Sequence, residues 1–135
     1  MPTWMTVDTD DLRHLPKHQG HPTRSTDPFK GPSDRLSPEF QEGWAGFMRW
    51  MASHQGAVTL FVITDLLECP AFASALQRAL QTFPDRLTVA CHGHTHRSWS
   101  AWGEDVEGFR NMLQTSTDLL KSCLLYTSPS PRDRY

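Results

Sequence analysis

A chain of 135 residues with 13 basic and 15 acidic side chains, a net charge of -2 and 38% hydrophobic content can bury the core of one domain and no more. That charge balance gives no footing for nucleic acid or for an anionic membrane surface. No stretch reaches the roughly eighteen apolar residues of a membrane span, and residues 1–12 lack the charged start and long apolar run of a signal peptide. A soluble, cytoplasmic chain is therefore expected, and its three cysteines, without CxxC spacing, make no disulfide framework.

In chain order, Trp4-Met-Thr-Val7 reads as a short strand that runs into an acidic cluster of Asp8, Asp10 and Asp11. Residues 12–37 then form a long loop with His14, His18 and His21 among Pro16, Pro22, Pro28 and Pro32. A loop of this length is a binding loop or is unstructured, and its histidines and cations read as a solvated surface. Ser37-Pro38-Glu39 is a helix start, with serine as the cap and proline in the first turn. Phe40, Trp44, Phe47, Met48 and Met51 follow at spacings of three and four, which places them on one core-facing stripe.

Ala57 to Ile63 is a near-continuous apolar run, as expected for a parallel strand covered on both faces. After Thr64-Asp65 the pattern predicts a helix over Pro70–Thr82, with Phe72, Leu76 and Leu80 inward, and Pro84-Asp85 ends it. The strand 87–91 closes on Cys91, read as a small buried hydrophobe. A turn at Ser98–Gly103 carries Trp99 and Trp102, and a last helix over Glu104–Ser122 carries Val106, Phe109, Leu113 and Leu120. The order β-loop-α-β-α-β-α predicts an α/β fold with a parallel sheet and right-handed crossover helices, either open or part of a barrel.

The sequence between the third strand and that turn, His92-Gly-His-Thr-His96, delivers three imidazoles in five residues. Neutral imidazole is a preferred ligand of zinc and similar ions, and ligands in α/β proteins gather at the carboxyl ends of strands. A spacing of four lets His92 and His96 face one side of a helical turn, which leaves His94 to point toward substrate, solvent or a carboxylate behind the ligands. The acidic cluster lies at the end of another strand, so a single site is expected for one divalent ion, zinc first, with cobalt, nickel or manganese also suited. Trp99 and Trp102 offer flat apolar rings that can stack on a ligand beside such a site, pack in the core or fill a hinge.

The pair of motifs resembles the polysaccharide deacetylase family, the NodB homology domain of carbohydrate esterase family 4. Thr6-Val7-Asp8-Thr9-Asp10 is similar to the family's variant first motif, and His92 to His96 is similar to its H-G-x-[ST]-H motif, with Thr95 at the hydroxyl position. Thr59 to Ile63 resembles the family's "ATFFV" strand, and the likeness spans about residues 4–122. It implies Asp8 as general base and Asp10, His92 and His96 as metal ligands. Because Asp11 also follows, the alternative register is Asp10 as base with Asp11 as ligand; strand alternation favours the first, since Asp8 and Asp10 project to the same side. The resemblance further implies a partial distorted (β/α) barrel and a metal-dependent hydrolase of carbon-nitrogen amide bonds, acting on an N-acetylated carbohydrate or another small amide.

The later family motifs, which bring an arginine that holds the base and a histidine that acts as general acid, are not found. From Cys123 the run CLLYTSPSPRD resembles the translation of a sequencing-library adapter, which implies a truncated domain over residues 1–122, inactive by itself, and a non-native, unstructured tail over 123–135. Two other functions are weighed. Gly93-His-Thr-His96 also fits the GHxH signature of calcineurin-like metallophosphoesterases, in which His94 would be a ligand of a dinuclear centre, although their D-x-H, GDxxD and GNH[DE] motifs do not occur. A carbohydrate-binding pseudoenzyme would keep the pocket without turnover.

Overall fold

Three short strands run side by side in the order β1-β2-β3: Met5–Asp8, Val58–Val62 and Leu87–Cys91. Both pairings are parallel. The computed structural model describes residues 3–19, 29–32 and 34–125; His21, Pro22, Pro28 and the tail beyond Leu125 lie outside the described residues. Helices α1 (Pro38–Ser53), α2 (Pro70–Thr82) and α3 (Val106–Leu125) follow the three strands in turn. The fold is thus mixed α/β with a parallel sheet, as the alternation of apolar patterns predicts. No helix among the described residues is long and apolar enough to cross a membrane.

In-register pairing of parallel strands puts partners on the same side of the sheet. Met5, Val58 and Leu87 form one row and Val7, Leu60 and Val89 the next, all on one face. Val58, Leu60 and Val62 are buried there, each contributing about 1.5–3 kcal/mol through burial. Both crossover helices cover this face. Phe72 of α2 packs edge-on against Phe40 and Trp44 of α1, with ring centroids 5.6 and 5.5 Å away, and Leu76 and Ala79 continue the inward stripe of α2.

The opposite face carries the rows Thr6-Thr59-Thr88 and Asp8-Phe61-Ala90. It is only partly covered: Thr59 and Phe61 are half-buried, and Thr6, Asp8 and Thr88 are exposed. The expectation that β2 is covered on both faces therefore fails. Its apolar run packs on the side of Val58, Leu60 and Val62, while Trp4 lies across the other side and donates its indole N–H to the Thr59 hydroxyl at 3.0 Å.

Helix α1 begins as predicted. The Ser37 hydroxyl accepts from the Phe40 N–H at 3.0 Å, and Pro38 occupies the first turn where its missing N–H costs nothing. Helix α3 differs from expectation in two respects. Its inward stripe is Phe109, Met112, Ser116, Leu120 and Cys123, whereas Val106 and Leu113 are exposed; Ser116, a polar residue, holds the central inward position because its hydroxyl meets that of Thr64 at 3.1 Å. The helix also continues past Ser122 to Leu125, and Cys123 is buried in the core. Burial pushes its thiol pKa up, against a smaller lowering by Gln77.

The long loop is not without structure where it is described. Leu12–His14 and Pro16–His18 are short 3-10 turns, and His14 is fully buried with Arg13 nearly so, contrary to the solvated surface expected of them. Cys91 departs in the other direction: it is exposed, as the last residue of the edge strand β3.

Candidate metal centre

The carboxyl ends of the three parallel strands open on the same edge, and each hands a loop to one site. The loops are tied together by main-chain bonds. The Thr9 N–H donates to the Phe61 carbonyl at 3.1 Å, and the buried Thr9 hydroxyl accepts from the Ile63 N–H at 3.0 Å. On the other side the His92 N–H donates to the Val62 carbonyl, the Thr64 N–H to the Gly93 carbonyl and the Asp65 N–H to the His94 carbonyl, at 2.8, 3.0 and 2.9 Å.

Within that frame Asp10, His92 and His96 each offer a ligand atom, and these atoms lie within 4.8 Å of one another. Zinc bonds of about 2.0–2.2 Å place two ligand atoms roughly 3–4 Å apart, so an ion would draw these side chains somewhat closer together. The donor set of two imidazoles and a carboxylate suits zinc and its neighbours. His92 and His96 meet with ring centroids 4.8 Å apart, but not by sharing a helical turn. The segment is a loop in which Gly93 has φ +76° and His96 itself has φ +65°. The left-handed conformation costs a non-glycine residue roughly 1–2 kcal/mol, so His96 is held there by its contacts.

Those contacts also fix its tautomer. His96 Nδ1 lies 2.8 Å from the His14 carbonyl and 3.2 Å from Asp10 Oδ1. Both oxygens only accept, so the proton is on Nδ1 and the lone pair on Nε2 is free for a cation. Asp8 stands beside the group, its Oδ2 3.7 Å from His92 Nε2. Asp8 and Asp10 share the exposed side, while Thr9 between them is buried, as strand alternation predicts.

Two alternates fall outside the group. Asp11 is turned inward, where its carboxylate accepts from the Leu12 N–H at 2.7 Å and from the Ser37 N–H at 3.0 Å. It joins the first loop to the start of α1. His94 points toward β2, with Nδ1 3.0 Å from the Thr64 hydroxyl and Nε2 3.9 Å from Glu68.

The histidine loop forms one wall of a cleft of about 580 Å³. Trp99, Trp102, Met112 and Leu113 line it as well. Trp99 is 79% exposed, which excludes it from the core. Phe109 supports it, with ring centroids 4.8 Å apart, and Trp102 is covered by the Arg97 guanidinium at 4.3 Å. Beyond the residues singled out from sequence, the site rests on His14, Thr64 and Asp65. Thr64-Asp65 follows the second strand just as the other two clusters follow theirs, which is the signal that could have marked it.

No family model, curated protein or solved structure matches the chain. The geometry at the strand ends therefore carries the functional reading.

Proposed function

We propose that the chain is the metal-binding part of a single-ion hydrolase acting on carbon-nitrogen amide bonds, with an N-acetylated sugar or another small N-acyl compound as substrate. The observation that carries this reading is the convergence of Asp10, His92 and His96, brought from the two outer strands of the sheet to within 4.8 Å. Three strands in sequential order with helices on one face agree with a sector of a distorted (β/α) barrel, whose interior is the Thr6-Thr59-Thr88 side. A bound divalent cation would supply the Lewis acid that polarises an amide carbonyl and makes water easier to deprotonate.

The protein groups around it have separable tasks. Asp8 is exposed beside His92 and can accept a proton from an attacking water. Asp10, His92 and His96 would each give one ligand atom to the ion, leaving room for water and the amide oxygen. Trp99 offers its free ring face to the apolar side of a sugar next to the histidine loop. His94 does not stand ready to protonate a departing amine, because its two ring nitrogens face Thr64 and Glu68. That donor is expected from later motifs of the family that the sequence resembles, so turnover is assigned to a parent chain that includes them.

The orientation of His94 also weighs against the phosphoesterase alternative. A GHxH centre needs His94 and His96 together, whereas the histidines that meet are His92 and His96. The test is a titration of the cobalt-loaded chain with acetohydroxamate, a bidentate mimic of a hydrated amide. Open positions on a single ion predict one cobalt per chain and a clear change in its visible spectrum. Two coupled cobalt ions, or a spectrum indifferent to the hydroxamate, would contradict the reading.

A further inference from the structure

His14 lies at the junction of all three strand-end loops and is fully buried. Its ring is satisfied at both ends. The Asp11 N–H donates to Nδ1 at 2.9 Å, so Nδ1 carries no proton and the ring proton must be on Nε2. That Nε2–H donates to Asp65 Oδ1 at 2.8 Å. The other Asp65 oxygen lies 3.4 Å from Arg13 Nε, and the Asp65 main-chain N–H is itself bonded to the His94 carbonyl. A histidine locked in this way cannot swing, and its main-chain carbonyl is the acceptor for His96 Nδ1.

We propose that the buried His14-Asp65 pair is a positioning device for the metal ligand His96. The pair does not touch the ion. It fixes the His14 carbonyl against the histidine loop, and that carbonyl, the nearer of the two acceptors at Nδ1, favours the Nδ1–H tautomer of His96 and holds its backbone at positive φ. Without the brace, the free imidazole prefers its proton on Nε2, the atom that must be bare to bind a cation, and the loop is free to relax toward an ordinary conformation. Partners that orient a metal-bound histidine commonly change affinity by about 10- to 100-fold when removed. The role of His96 as a ligand rests on the function proposed above; the hydrogen bond to His14 does not.

The experiment therefore reads the two separately. Long-range nitrogen-proton correlation spectra of the metal-free chain at about pH 8, where imidazoles are neutral, report the tautomer of each histidine. Zinc affinity is measured alongside by competition with a chelator. In the wild type His96 is expected as Nδ1–H and His14 as Nε2–H. Asp65→Ala should shift His96 toward the Nε2–H tautomer, against the remaining contact of Nδ1 with Asp10 Oδ1, and weaken zinc about 10- to 100-fold. Asp65→Asn, whose amide oxygen still accepts from His14, should keep the tautomer and stay within about 3-fold of wild-type affinity.

A wild-type His96 with its proton on Nε2 would overturn the inference, and so would an Asp65→Ala variant with unchanged zinc affinity. The wild-type tautomer decides even if Asp65→Ala does not fold. A wild-type chain that has the expected tautomers but binds no zinc would instead sink the metal reading, and the positioning role with it.

Discussion

Replacing His96 by glycine and by alanine separates what the loop conformation costs from what the imidazole does. At φ +65° an alanine keeps the left-handed penalty of roughly 1–2 kcal/mol, while glycine adopts the same angle with little cost. Both variants lose the bond from Nδ1 to the His14 carbonyl, worth about 1 kcal/mol. In the metal-free chain His96→Gly should therefore come out near neutral, with relief of the backbone offsetting the lost bond. His96→Ala should be about 1 kcal/mol less stable than the wild type. Urea denaturation in the presence of a chelator measures this directly. With a slope of about 2 kcal/mol per molar, the alanine variant should melt roughly 0.5 M earlier than the glycine variant. Zinc sets the wild type apart from both variants. At a hundredfold excess over its dissociation constant it should add about 2.7 kcal/mol to the wild type, and close to nothing to either variant. Equal midpoints for the two variants without metal would show that His96 is not held at positive φ, and the account of the loop would fail.

Other consequences distinguish the candidates for each role. Asp11→Ala removes the acceptor for two main-chain N–H groups and should cost about 1–2 kcal/mol of stability, with a smaller loss of zinc affinity than Asp10→Ala; chemical denaturation and a zinc titration on both variants check this. His94→Ala should leave zinc affinity within a few-fold of the wild type, whereas His92→Ala should lower it at least about 100-fold, as read by the same titration. Among the three cysteines only Cys91 is exposed, so a disulfide reagent should modify one thiol rapidly in the native chain. Cys69 and Cys123 should react only on unfolding, and the raised pKa of the Cys123 thiol predicts that the fold loses stability as alkaline pH approaches thiol ionisation, because the unfolded chain gives up that proton first.

How far the sequence could be read depends on whether a residue's surroundings are local. The bounds of α1 and α2 follow from Ser37 and the prolines Pro38 and Pro70, and the strands from short apolar runs, because those signals act within a few residues. The pairing of Asp8 and Asp10 with His92 and His96 was legible as well, since both motifs end parallel strands. What could not be read lies in contacts distant along the chain. His14 stands in a polar, proline-rich stretch and looks solvated, yet Asp65, fifty-one residues away, accepts a hydrogen bond from its ring and allows it to be buried. The inward face of α3 was misjudged because Ser116 is polar, and only the Thr64 hydroxyl opposite makes that position an interior one. The positive φ of His96 left no mark on composition, because the residue that a left-handed angle favours is glycine.

The central claim is that two imidazoles and one carboxylate from separate strand ends bind a single cation. X-ray absorption at the zinc edge of the loaded chain tests it most directly. The account predicts one zinc per chain, two imidazole nitrogens and oxygen neighbours at about 2.0–2.2 Å, and no sulfur. A sulfur neighbour at about 2.3 Å, which would come from the exposed Cys91 beside His92, or a zinc shell with fewer than two imidazoles, would contradict it.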